Sequence, residues 1–182
     1  MDGSGKPQRV AVCIASYRPR GLHALLGALD AQRFEGERPE IALVVTDNDP
    51  AESARSVCED ARRWLSLPLR YIVEPQRGIP FARNACVRAA GDADWLAFVD
   101  DDEIPETDWL ATLLAVQRDT DADLVTGPVL GRFAFEPARW IVEGGFFATP
   151  RRPTGTPMLR AYTGNTLLRA RCLDAEFVHF DE

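Results

Sequence analysis

The stretch RGIPFARNACVRAAGDADWLAFVDDDEIPETDWL, residues 77–110, decides how the rest of the chain is read. Its middle, WLAFV at 95–99, is a short unbroken apolar run, as expected of a strand covered on both faces. Before it, FARNACVRAA places Phe81, Ala82, Ala85, Cys86 and Ala89 on one face of a helix. After it, DWLATLLAVQR turns Trp109, Leu110, Leu113 and Leu114 inward. Helix, buried strand and helix in succession are the units of a parallel sheet. Between the strand and the second helix stand Asp100, Asp101, Asp102 and Glu103. Four like charges at the end of a buried strand need solvent, a basic partner or a cation to offset their repulsion.

Working toward the N-terminus, the same alternation returns. Residues 10–16 (VAVCIAS) and 41–46 (IALVVT) read as buried strands, and 69–73 (LRYIV) as a third. Leu22, Leu25, Leu26 and Leu29 fall at i, i+3, i+4 and i+7 of an amphipathic helix. DNDPAES predicts a helix start, with Asp49 as N-cap, Pro50 first in the helix and Glu52 completing a capping box. Gly78 is free to take a positive φ in the PQRGIP turn. Toward the C-terminus, DLVTGPVLGRF supplies a further strand or two. Beyond Phe133 the pattern dissolves into a loop-rich excursion of aromatics, glycines, prolines and arginines, until TGNTLLRARCL restores a short strand or helix. The expected fold is α/β: a mostly parallel sheet with helices on both faces.

Composition narrows the function. The 182 residues carry 21 basic and 28 acidic side chains, a net charge of −7, which argues against a nucleic-acid surface. Cys13, Cys58, Cys86 and Cys172 form no CxxC pair, and His23 and His179 are too few for a histidine metal site. Cys13 and Cys86 read as small buried hydrophobes in a reducing compartment. No apolar run suits a signal peptide or a membrane span, so a cytoplasmic location is expected. GxGxxG and GxxxxGK[ST] are both absent, and neither histidine lies near a nucleophile elbow.

Ligands of open parallel sheets bind beyond the carboxyl ends of the strands, so the residues there are read together. They are Ser16, Tyr17 and Arg18; Asp47, Asn48 and Asp49; Glu74, Gln76 and Arg77; and the acidic run 100–103. Carboxylates from some strand ends and arginines from others suit a metal ion and an anion on one rim. In an extended segment Asp100 and Asp102 point the same way and can share Mg²⁺ or Mn²⁺, while Asp101 faces elsewhere. A lone acidic run is more often a solvated loop; its place after a buried strand favours the metal. Asp49 reads as a helix cap, and Asp47 as a group that can accept from ribose or a base N–H. Arg77 in the turn and Arg83 in the next helix either cover the sheet edge or meet a diphosphate at the helix N-terminus.

With these motifs in hand, the chain resembles the glycosyltransferase family 2 proteins, of GT-A nucleotide-diphospho-sugar transferase fold. The resemblance rests on VAVCIASYRPRGL, ALVVTDNDP, TGNTLLRARCL and, most specifically, on residues 77–110 with their ARN, Gly91, DxD and Trp109-Leu110. It implies one domain over 1–182, with a donor-binding half at 9–133 and an acceptor-side segment at 134–182. It implies transfer of a sugar from a nucleoside diphosphate to an acceptor hydroxyl with inversion, assisted by Mg²⁺ or Mn²⁺. The implied donor site is Ser16, Tyr17, Arg18, Asp47, Arg77, Arg83, Asp100 and Asp101, with Asp100 and Asp102 at the metal and Gly164 and Asn165 on the sugar or acceptor side. The family's acidic base motif is expected beyond Glu182, so the domain is expected to be incomplete, unless Asp181 or Glu182 takes that part. Implied partners are the sugar nucleotide and a saccharide, lipid-linked or protein acceptor, with peripheral association at the inner face of the cell membrane. A nucleotidyltransferase would carry a glycine-rich basic signature after its first strand, which SYRPRGL fits poorly; a non-catalytic sugar-nucleotide binder is the other alternative.

Overall fold

The computed structural model describes residues 7–147, 149, 152–173 and 180. Among these residues six strands form one sheet in the order β3-β2-β1-β4-β6-β5. They are β1 (Arg9–Ser16), β2 (Glu40–Asp47), β3 (Leu69–Val73), β4 (Trp95–Val99), β5 (Leu124–Thr126) and β6 (Asn165–Arg169). The first four pair in parallel, whereas β6 runs antiparallel between β4 and β5. The mostly parallel α/β sheet expected from the alternation is therefore the architecture found.

Alternation along β1 divides the core. Val10, Val12 and Ile14 face α1 (Leu22–Asp30), α2 (Arg55–Ala61) and α4 (Trp109–Thr120), whose Leu25, Leu26, Cys58, Leu110 and Leu114 are buried there. Ala11 and Cys13 face α3 (Ile79–Ala89), against Cys86 and Ala89. Small residues on that side let α3 lie close to the strands. Cys13, Cys58 and Cys86 are buried free thiols, and burial pushes Cys58 up to about 11.

Two local expectations need correction. The helix read from Asp49 begins only at Arg55, after two turns, and has no side-chain cap. Asp49 Oδ1 accepts instead from the N–H of Ala51 at 3.0 Å, and Glu52 adopts φ 57° and pairs with Arg55. The reason is Asp47: its Oδ2 takes the N–H of Ala54 at 2.7 Å, so the strand end satisfies the helix entrance. The second correction concerns the acidic run. Residues 100–103 form a tight turn, with Glu103 N–H donating to Asp100 C=O at 3.1 Å, so the extended i, i+2 relation of Asp100 and Asp102 does not hold. Gly78 does take a positive φ, 147°.

Beyond β5 the described residues of the excursion hold one short helix, α5 (Arg139–Glu143), and the chain returns through Gly164 into β6. A 3₁₀ turn, Ala170–Cys172, follows.

Candidate donor site

Parallel pairing brings the ends of β1, β2 and β3 level, with Ser16 opposite Asp47 and Asp47 opposite Val73. Their loops are then fastened to one another. Asn48 donates its amide to the carbonyls of Glu74 (2.9 Å) and Gln76 (2.7 Å), and its Oδ1 accepts from Gly78 N–H at 2.8 Å. A single buried side chain thus fixes the turn that carries Arg77 and opens α3. Arg18 pairs with Asp49 at 3.5 Å, and its N–H donates to Ser53 Oγ at 3.1 Å, which joins the first loop to the second. The Ala51 N–H, then Ser53 and Arg18, hold the Asp49 carboxyl below its ordinary range against the effect of burial.

Above these loops is Tyr17, 39% exposed, with the guanidinium groups of Arg18 and Arg77 each 5.1 Å from its ring centroid. Asp47 is different from the group the sequence suggested. It has no exposed surface, and its oxygens accept from Asp49 N–H (3.0 Å), Ala54 N–H (2.7 Å) and Tyr71 Oη (2.9 Å). A carboxylate closed off in this way anchors the loop and leaves no face for a nucleoside, which corrects the contact expected of it. Burial, with the Asp47 bond and charge behind it, pushes the Tyr71 phenol up strongly.

The acidic turn is built into the same rim. Ser16 Oγ donates to Asp101 Oδ2 at 2.6 Å. Arg83 reaches Asp100 Oδ1 at 3.2 Å, and its guanidinium lies 5.7 Å from the Phe180 ring centroid. Asn84, next in the ARN run, exchanges two hydrogen bonds with the Phe180 backbone at 3.1 and 2.9 Å. Glu103 Oε2 accepts from the Asp100 N–H at 3.2 Å. Asp102 is exposed.

Burial raises the carboxyls of Asp101 and Glu103, the latter to about 7, and the charges of Asp100 and Asp102 add to it. Ser16 and the Tyr17 N–H hold Asp101 back; the Asp100 N–H and Arg83 hold Glu103 back. Among the described residues one cation, Arg83, pairs with these four carboxyl groups.

Two glycines allow the close approaches. A Cβ on Gly21 would lie 2.7 Å from the Asp101 carbonyl oxygen and 2.9 Å from Asp102 Cα, backbone atoms that cannot yield. A Cβ on Gly164 would lie 2.5 Å from Glu103 Oε1 and 3.2 Å from Asp100 Oδ2. Gly164 therefore meets the acidic turn directly. Asn165 beside it spends its amide elsewhere: Oδ1 accepts from Trp109 Nε1 at 2.8 Å and Nδ2 donates to Pro128 C=O at 3.0 Å. It ties α4 to the base of the excursion. The sequence offered no sign of the parts played by Gly21, which makes room for the Asp101–Asp102 backbone, and Asn48, whose side chain bonds the backbone of another loop.

The family model described as "Glycosyl transferase family 2" covers residues 11–176, nearly the whole chain. The chain belongs to glycosyl transferase family 2. Succinoglycan biosynthesis protein ExoM of Rhizobium meliloti (strain 1021) is 34% identical over 160 residues, 88% of this chain and 51% of that protein. The family 2 chain thus spans about half the length of the curated relative it matches. In fold it resembles S. aureus TarS in complex with UDP-GlcNAc (TM-score 0.63, 18% identity, 96% of this chain and 49% of that one). It also resembles the mannosyltransferase PcManGT from Pyrobaculum calidifontis in complex with GDP-Man and Mn²⁺ (TM-score 0.54, 20% identity, 69% and 36%). The GT-A fold expected of a family 2 protein is the fold these neighbours share.

Proposed function

We propose that the rim formed by the strand ends binds a nucleoside diphosphate sugar, and that the chain is the donor-binding part of an inverting glycosyltransferase. The observation that carries this reading is the convergence of Tyr17, Arg77, Arg83 and the acidic turn 100–103 on one rim of a family 2 fold. In it, the Tyr17 ring with its two arginines receives the nucleoside, Arg83 and the start of α3 face the diphosphate, and Ser16 and Asp101 fix the turn between them. Gly164 leaves room on the sugar side. Asp47 supports the nucleoside end from beneath.

A divalent cation fits this donor set. The turn offers the hard carboxylate oxygens of Asp100, Asp101, Asp102 and Glu103, with Arg83 the cation paired to it among the described residues. Among the described residues no three His, Cys, Asp or Glu side chains gather to hold an ion alone, so diphosphate oxygens and water would complete the shell. Asp102, with Asp100, would hold Mg²⁺ or Mn²⁺, which when bound neutralises charge on the departing diphosphate. Arg83 adds to that stabilisation from the protein side. No described residue is assigned as the base for the acceptor hydroxyl; His179, Asp181 and Glu182 lie outside the described residues.

The relative's part in succinoglycan biosynthesis supports a saccharide acceptor of a polysaccharide pathway; that this acceptor is met at the inner face of the cell membrane is part of the proposal. Among the described residues no helix is long and apolar enough to cross a membrane. Calorimetry with uridine and guanosine diphosphates tests the donor site. Binding is expected to tighten with Mn²⁺ relative to chelator, and Asp102→Asn is expected to erase that difference. Equal affinity with and without metal in the unaltered chain would overturn the metal; no binding of either nucleotide would overturn the site.

A further inference from the structure

We propose that the excursion between β5 and β6 is an interfacial surface that docks this chain on an anionic lipid bilayer. The inference deepens the reading above, and rests on it only for placing the acceptor at a membrane. Among the described residues, eleven of the sixteen large apolar side chains that are exposed fall between Val129 and Tyr162. They include Phe135 at 88% and Leu159 at 103% exposure, side chains with almost no protein neighbour. Others pair with one another: Phe133 with Phe147 at 5.4 Å, and Trp140 with Phe146 at 5.8 Å, both edge to face. Exposed apolar surface concentrated in one segment marks an interaction site.

Charge says which partner. Residues 127–164 hold five arginines and two glutamates, a net positive segment in a chain of charge −7. One glutamate, Glu143, pairs with Arg139 at 2.7 Å. Arg132, Arg152 and Arg160 are exposed, and no carboxylate of the described residues lies within ion-pair distance of them. A protein partner would be met as well by apolar contact alone. Aromatic side chains interleaved with unpaired arginines suit the headgroup boundary of a bilayer, where rings enter the acyl edge and guanidinium groups meet phosphate. The segment 155–161 also stands off α4 and β5, leaving a cavity of about 500 Å³ walled by Leu124, Met158, Leu159 and Arg160. Its ends are moored at Asn165, next to the acidic turn, so the docked face adjoins the sugar side of the rim.

Vesicle flotation tests this with the full chain. Binding is expected to vesicles of phosphatidylglycerol mixed with phosphatidylcholine, to weaken in high salt, and to be absent on phosphatidylcholine alone. The triple variant Arg132→Glu, Arg152→Glu, Arg160→Glu is expected to lose at least 100-fold in affinity, at roughly fivefold or more per arginine. Phe135→Ser with Trp140→Ser is expected to weaken binding without changing its salt dependence. All these side chains are exposed, so nucleoside diphosphate binding and melting temperature should not move. Vesicle binding that ignores lipid charge, or survives the arginine variant, would overturn the proposal. So would light scattering that shows a dimer lost in the Phe135/Trp140 variant while vesicles go unbound, which would make this face a contact between copies. Loss of nucleotide binding with vesicle binding intact would strike the donor-site reading alone.

Discussion

Replacing Asp47 should destabilise the protein more than replacing any other single polar residue of the rim. Three donors converge on its carboxylate, at 3.0, 2.7 and 2.9 Å, in a site without solvent exposure. A buried donor left without a partner costs about 1–3 kcal/mol. Asp47→Ala orphans two backbone N–H groups and the Tyr71 hydroxyl, and the space it vacates can admit a water that recovers part of the loss. The expected cost is about 3–5 kcal/mol. Asp47→Asn keeps the shape but turns an N–H₂ toward one of the backbone donors; about 2–3 kcal/mol is expected. Tyr71→Phe removes only one donor and should cost about 1 kcal/mol. Because the two residues share a bond, the double variant Asp47→Ala/Tyr71→Phe should fall short of the sum by about 1 kcal/mol. Urea unfolding followed by tryptophan fluorescence measures all four. A loss below about 1 kcal/mol for Asp47→Ala, with weakened nucleotide binding, would refute the anchoring argument and restore Asp47 as a ligand contact.

Asn48→Asp sets a carboxylate oxygen against the carbonyls of Glu74 and Gln76; about 2–4 kcal/mol of stability should be lost in the same unfolding assay, with Asn48→Ala close behind. Gly164→Ala meets the flexible end of Glu103, so stability should change by under about 1 kcal/mol while metal-dependent nucleotide affinity, read by calorimetry, falls several-fold. Glu103 keeps its proton to about 7 in the folded chain, whereas the unfolded chain releases it near 4.5, so its ionisation lowers stability as pH rises across that window. Glu103→Gln should therefore gain on the unaltered protein above pH about 7, by on the order of 1 kcal/mol after screening, and lose that advantage below about 4.5, as followed by melting across pH.

What the sequence disclosed, and what it hid, divide along a physical line. β4 is found at the bounds its apolar run implied, and the inward face of α4 holds Trp109, Leu110, Leu113 and Leu114 as its period required. Periodicity reports burial, and burial was what it recovered. The rim depends on hydrogen bonds between segments distant in sequence, which no local pattern encodes. Asp49 satisfied every local rule for an N-cap, yet the competing acceptor two residues earlier, Asp47, took the helix entrance. The acidic run read as a strand continuation because nothing local signals that Glu103 folds back on Asp100. The family resemblance placed Asn165 on the sugar or acceptor side; its amide partners, Trp109 and Pro128, come from two other segments. The antiparallel entry of β6 was equally hidden, since strand direction leaves no trace in hydropathy.

That entry bears on how the chain folds. Among the described residues β5 pairs with the sheet only through β6, so Leu124–Thr126 has no strand there to pair with until residues 165–169 have arrived. The parallel core of β1 to β4 can assemble from consecutive βαβ crossovers, whereas the outer pair must wait for the closure of the whole intervening loop. Closure entropy grows slowly with length, about 0.6 kcal/mol for each doubling, so lengthening the excursion should slow the last docking step while scarcely altering equilibrium stability. Refolding should show the core forming first and the β5–β6 pair joining in a later phase, whose rate follows loop length.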